Sequence, residues 1–174
     1  MAGMKFLLRS GLSLLMAGLI LVSCKDIKSY PDVPEVKFKE FRYKDTTLVI
    51  SFIDGDGDFG IPAGYMDPPF DTGGAYYFNV FFTFEQKVDT GYVRVPMADY
   101  SYWNLRVEDV PQPQGQNKTM FGDIELMLVP ILGSRYVYPD TFRFTFYLYD
   151  FALHRSNTGV SPPLTFKRGG MTHN

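Results

Sequence analysis

Thr141-Phe142-Arg143-Phe144-Thr145-Phe146-Tyr147-Leu148-Tyr149 alternates without a break. Phe142, Phe144, Phe146 and Leu148 fall on one side of an extended chain, and Arg143, Thr145, Tyr147 and Tyr149 on the other. A helix would scatter those rings around its axis. A pleated strand gathers them on one face, because successive side chains point in opposite directions. The same period recurs in both directions from this segment. Upstream, Thr119 to Val129 alternates through Ile124, Leu126 and Leu128, and Tyr92 to Val95 follows a turn at 88–91. Ala75 to Lys87 reads as the longest strand, with Phe78, Val80, Phe82 and Phe84 facing inward. Thr46 to Ile53 is apolar on both faces and is expected at the centre of a sheet, while Val36 to Lys39 is half-buried. Downstream, Leu164 to Phe166 is a short last strand opened by Pro162-Pro163, which suits an edge.

Composition agrees with the pattern. The chain has 16 Phe and 12 Tyr against one Trp, with 12 Pro and 16 Gly. Aromatic residues favour strands, and Pro and Gly punctuate them. No segment after the first 23 residues has a helical period. About seven strands separated by turn signals predict an all-β domain, an immunoglobulin-like β-sandwich, over residues 35–168. An eight-stranded barrel is the alternative.

The N-terminus carries a different signal. Lys5 and Arg9 precede an apolar stretch from Gly11 to Val22, and the run ends Leu21-Val22-Ser23-Cys24. That stretch is about 12 residues, short of the roughly 20 a membrane-spanning helix needs. The four closing residues resemble the lipobox of bacterial lipoproteins. The resemblance implies removal of residues 1–23 and covalent lipid on Cys24, the only cysteine, which becomes a membrane anchor through its acyl chains. Residues 24–34, polar with two prolines, read as a tether, and residues 169–174 as a disordered tail. The expected location is the cell envelope, at the outer membrane. Lys25-Asp26 matches part of a surface-export signal, but Ile27 stands where a second acidic residue belongs, so periplasmic and surface-facing sides both stay open.

Charge narrows the partners. Lys5 and Arg9 account for two of the 17 basic residues, leaving 15 against 19 acidic ones, a net charge of −4. A mildly acidic domain without a basic stripe is not expected to bind nucleic acid.

One constellation could carry chemistry. Asp54-Gly55-Asp56-Gly57-Asp58-Phe59-Gly60 sets three carboxylates on a backbone able to curl around one centre. Two such charges about 5 Å apart repel by roughly 3 kcal/mol at an effective dielectric of 20, a repulsion that a hard cation offsets. Oxygen-only ligands suit Ca²⁺. In an immunoglobulin-like sandwich the loop starting at Asp150 shares this end, offering Asp150 and Asn157 as further ligands. An EF-hand is excluded, because Phe59 stands where its glycine is required and Tyr65 where its glutamate is required. Asp-Gly pairs also make plain turns after strands, so a metal site and a bare turn both stand.

Catalysis is not expected. His173 lies in the tail, and His154 has no serine partner in view. Glu85, Glu108 and Glu125 read as outward-facing strand or loop residues rather than paired acids. Tyr100, Tyr102 and Trp103 could stack on a glycan or anchor an envelope protein, or simply cover a sheet edge.

Three segments together carry a family likeness: Phe52 to Gly60; Gly115-Gln116-Asn117-Lys118 with Gly122-Asp123-Ile124; and Tyr149-Asp150-Phe151-Ala152 with Ser156-Asn157. In this order they resemble small lipoproteins of Bacteroidota that carry an Asp-Gly-Asp-Gly-Asp loop. The likeness implies one immunoglobulin-like domain on a lipid tether, and brings no activity with it. The last segment is also similar to the final loop of bacterial immunoglobulin-like and fibronectin-type repeats, with Leu153-His154 where those often have Gly-Asn.

Overall fold

The computed structural model describes residues 30–95, 104–108, 110–128 and 141–165. Cys24, Tyr100, Tyr102, Trp103 and the 169–174 tail lie outside them. Among the described residues there is no helix, and the strands form two antiparallel sheets.

The first sheet joins β1 (Glu35–Arg42), β2 (Thr47–Asp54) and β6 (Met120–Met127), with β2 in the middle. Its two apolar faces explain that place: Leu48, Ile50 and Phe52 enter the core, and Val49 is covered on the other side. β1 runs past the predicted end at Lys39. Alternation breaks there because a bulge shifts the register between Phe38 and Glu40. The extra residue returns Phe41 to the inner face already taken by Val36.

In the second sheet β3 (Val80–Val88) lies between β4 (Gly91–Arg94) and β7 (Thr141–Leu148), with β5 (Asn104–Leu105) pairing to β3. β8 (Gly159–Val160) and β9 (Leu164–Thr165) both pair with β7. The last strand is thus split. Between its halves Ser161 keeps the ladder closed: its N–H reaches the Phe144 carbonyl at 2.9 Å, and its Oγ accepts the Phe144 N–H at 2.9 Å. Pro162 and Pro163 have no N–H to offer.

β3 starts later than its alternation predicts. The guanidinium of Arg106 donates to the carbonyls of Tyr65, Phe70 and Tyr77, lies 4.7 Å from the Tyr77 ring and pairs with Glu108. Those bonds gather residues 65–77 into a looped segment, and the strand begins only at Val80.

The two sheets face each other across one core. Phe142, Phe144, Phe146 and Leu148 are fully buried, and Phe41 from the opposite sheet packs 6.0 Å from Phe142 and 6.4 Å from Phe144. Among the described residues no strand pairing joins the two sheets.

Candidate metal centre

β2 ends at Asp54, and the chain turns at once through Gly55 to Gly60. Tight packing explains the glycines. Gly57 has φ 73°, and a Cβ there would lie 1.9 Å from the Lys118 carbonyl oxygen. A Cβ on Gly55 would lie 2.2 Å from the carbonyl oxygen of Pro31, to which the Gly55 N–H donates at 3.1 Å. Phe59 closes the turn as a wedge, buried against Phe52 at 4.5 Å between ring centres. Its N–H donates to Oδ2 of Asp54 at 2.8 Å.

The second loop approaches from β7. Asp150 is buried, with Oδ1 accepting the His154 N–H at 2.7 Å and Oδ2 lying 2.9 Å from His154 Nδ1. Leu153 takes φ 70°, a left-handed conformation costly for a branched side chain. Ala152 N–H donates to Oδ2 of Asp58 at 2.9 Å, stitching the two loops together.

The result is a cluster of four aspartates that could hold a metal ion. Asp54, Asp56, Asp58 and Asp150 each contribute a carboxylate oxygen, and these oxygens lie within 4.8 Å of one another. Their hydrogen bonds are incomplete. Asp54 is 0% exposed, yet its Oδ1 has no hydrogen-bond partner, and the Oδ1 atoms of Asp56 and Asp58 are likewise buried and unpartnered. Buried polar atoms are nearly always satisfied, so three orphaned oxygens in one cluster leave room for a proton, a water or a cation between them.

Acidity shifts in the direction this crowding demands. Burial, then the neighbouring carboxylates Asp56 and Asp58, push Asp54 up to about 7, against the Phe59 N–H that favours the charged form. Burial and the charge of Asp150 raise Asp58 to about 6. Asp150 is also raised by burial, although His154 pulls the other way, and His154 is raised in turn by the Asp150 charge. In the folded state, without metal, Asp54 and Asp58 keep their protons over a pH range in which an unfolded Asp, with its pKa near 3.9, has released them. The folded chain then binds more protons than the unfolded one, so stability falls as pH rises. His154 acts in the same direction, its contribution being lost above its folded pKa. In chelator, the melting temperature is expected to drop by several degrees between about pH 5 and pH 8. Saturating calcium should flatten or reverse that slope, because protons then compete with the ion. Thermal melts across this range check both.

The Asn157 side chain, expected as a further ligand, bonds the backbone of β1. Its Oδ1 accepts the Val36 N–H at 2.7 Å, and its Nδ2 donates to the Val36 carbonyl at 3.0 Å. Both halves of the amide are spent on pinning β1 of one sheet beside the last loop of the other. Asn157→Ala should cost about 1–3 kcal/mol by orphaning the Val36 backbone, measurable by denaturant unfolding with little change in calcium response. Conversely, sequence reasoning weighed His154 only as a catalytic base and did not pair it with Asp150. Its spacing of four residues from Asp150 was the available signal, but only the Leu153 turn brings ring and carboxylate together.

Each of the other acids weighed has an arginine partner. Glu85 pairs with Arg143 at 2.6 Å, Glu125 with Arg42 at 2.6 Å, and Glu108 with Arg106. Compared with known proteins, the chain matches no family model, no curated protein and no solved structure.

Proposed function

We propose that this chain is a lipid-anchored cell-envelope protein, held at the outer membrane through Cys24, whose domain is a non-catalytic binding or interaction module braced by calcium. The three buried, unpartnered Oδ1 atoms of Asp54, Asp56 and Asp58 carry the calcium reading. Hard oxygen donors with no sulfur or imidazole nitrogen among the four aspartates favour Ca²⁺, and the ion would tie the loop after β2 to the loop after β7. An immunoglobulin-like sandwich is supported by the strand order, β1-β2-β6 facing β4-β3-β7 with β8 and β9. The family of Asp-Gly-Asp-Gly-Asp lipoproteins remains the likeness that best accounts for loop, tether and domain together.

A second reading, an accessory subunit of an envelope complex, draws on β6. Beyond β6 no further strand pairs among the described residues, and Phe121 and Met127 stand 58% and 57% exposed on it. An open edge of this kind accepts a partner strand. The glycan reading rests on Tyr100, Tyr102 and Trp103, which lie outside the described residues. Phe81 stacks on Tyr147 at 5.0 Å and Arg155 lies over the Tyr147 ring at 4.0 Å, so these outer-face rings are used on each other.

Thermal melts test the calcium reading directly. Extracellular calcium modules bind at about 10⁻⁴–10⁻³ M. About 10 mM calcium should then stabilise the fold by roughly 1.5–3 kcal/mol relative to chelator. An unchanged midpoint would refute it.

A further inference from the structure

The chain enters the domain at its acidic end. β1 begins at Glu35, opposite Ile53, so the incoming segment arrives beside Asp54. Residues just upstream are bound there: the Pro31 carbonyl accepts the Gly55 N–H at 3.1 Å, and the Tyr30 ring meets Phe121 edge-on at 5.5 Å. Gly55 is held from its other side by Thr119, whose Oγ1 donates to its carbonyl at 3.4 Å. Part of the segment read as free tether is therefore docked against the acidic loop.

Only six residue steps then separate Tyr30 from Cys24, at most about 21 Å fully extended. The opposite end of the domain is farther away. β3 starts at the acidic end, where Val80 pairs with Leu148, and runs nine residues to the β3–β4 turn at Asp89-Thr90, about 26 Å along the strand.

We infer that the acidic end of the domain faces the membrane and lies against its lipid headgroups, leaving the β3–β4 end outermost. This inference rests on the lipid anchor at Cys24 proposed above. Charge adds a condition. Four aspartates would be repelled by headgroup phosphates, and a bound cation removes much of that repulsion. The cation site then sits between protein and bilayer, and a protein partner is met by the far end or the sheet edges.

The test uses the full lipidated protein in phospholipid vesicles carrying a headgroup quencher. A fluorophore is placed through Ala152→Cys at the acidic end or Thr90→Cys at the far turn, both exposed positions. The Ala152→Cys label should be quenched several-fold more strongly. Equal quenching, or stronger quenching at Thr90→Cys, on protein that floats with the vesicles overturns the orientation while leaving the anchor intact. Failure to float overturns both. The calcium melts are independent of either result.

Discussion

Asp54→Asn should make the protein more stable in chelator and less responsive to calcium, two shifts of opposite sign from one isosteric change. In chelator at neutral pH, Asp54 is a buried group whose ionisation is opposed by burial and by two nearby carboxylates. The amide keeps an oxygen to accept the Phe59 N–H and removes the charge. A gain of about 1–3 kcal/mol follows, read as roughly 3–10 °C in the melting midpoint. With calcium present, one of four anionic ligands is gone, and affinity follows ligand charge. The calcium-induced shift should fall to a small fraction of its original size. Calorimetric titration together with melts at both extremes checks the pair. A loss of stability in chelator would mean that Asp54 holds the loop through its own hydrogen bonds and not against repulsion.

Gly57→Ala is expected to be the most damaging single methyl in the acidic loop. Two costs add: left-handed backbone for a non-glycine residue, about 1–2 kcal/mol, and a Cβ driven onto backbone that cannot swing aside. Destabilisation of about 3–4 kcal/mol follows, with loss of calcium binding as Asp56 and Asp58 move out of register. Gly64→Ala is the control. Its φ is 70°, similar to that of Gly57, but nothing lies within 4 Å of the added carbon. It should cost only the backbone strain, about 1 kcal/mol, and leave the calcium shift unchanged. Denaturant unfolding of the two variants separates strain from collision.

Much of the fold could be read from periodicity because strands such as β7 and β6 bury one face each. β7 was legible to within one residue, since Phe142, Phe144, Phe146 and Leu148 sit on the core face and nothing interrupts them. The central place of β2 was legible from its two apolar faces. Readings failed where local pattern yields to a distant contact. β1 was cut short at a bulge, which breaks alternation without ending the strand. β3 was extended backwards over residues that Arg106 gathers into loops from some 30 to 40 positions away. Gly159-Val160 was missed because two residues show no period.

The acidic site divides along the same line. Sequence alone determined which oxygens are available to a metal ion: three aspartates spaced by glycine, and a fourth after the best strand. It also marked Cys24 as the expected point of attachment. Ligand chemistry is a property of residue type, and spacing along a turn is local, so neither needs the fold. The tertiary structure decided which of these groups meet. Asp150 joins the cluster because β7 and β2 end on the same side of the core, while Asn157, from the same loop, bonds the Val36 backbone of β1. Tertiary packing also buries the oxygens, orphans three of them and docks Pro31 against Gly55. Burial and convergence depend on atoms brought together from distant parts of the chain, and no local pattern encodes them.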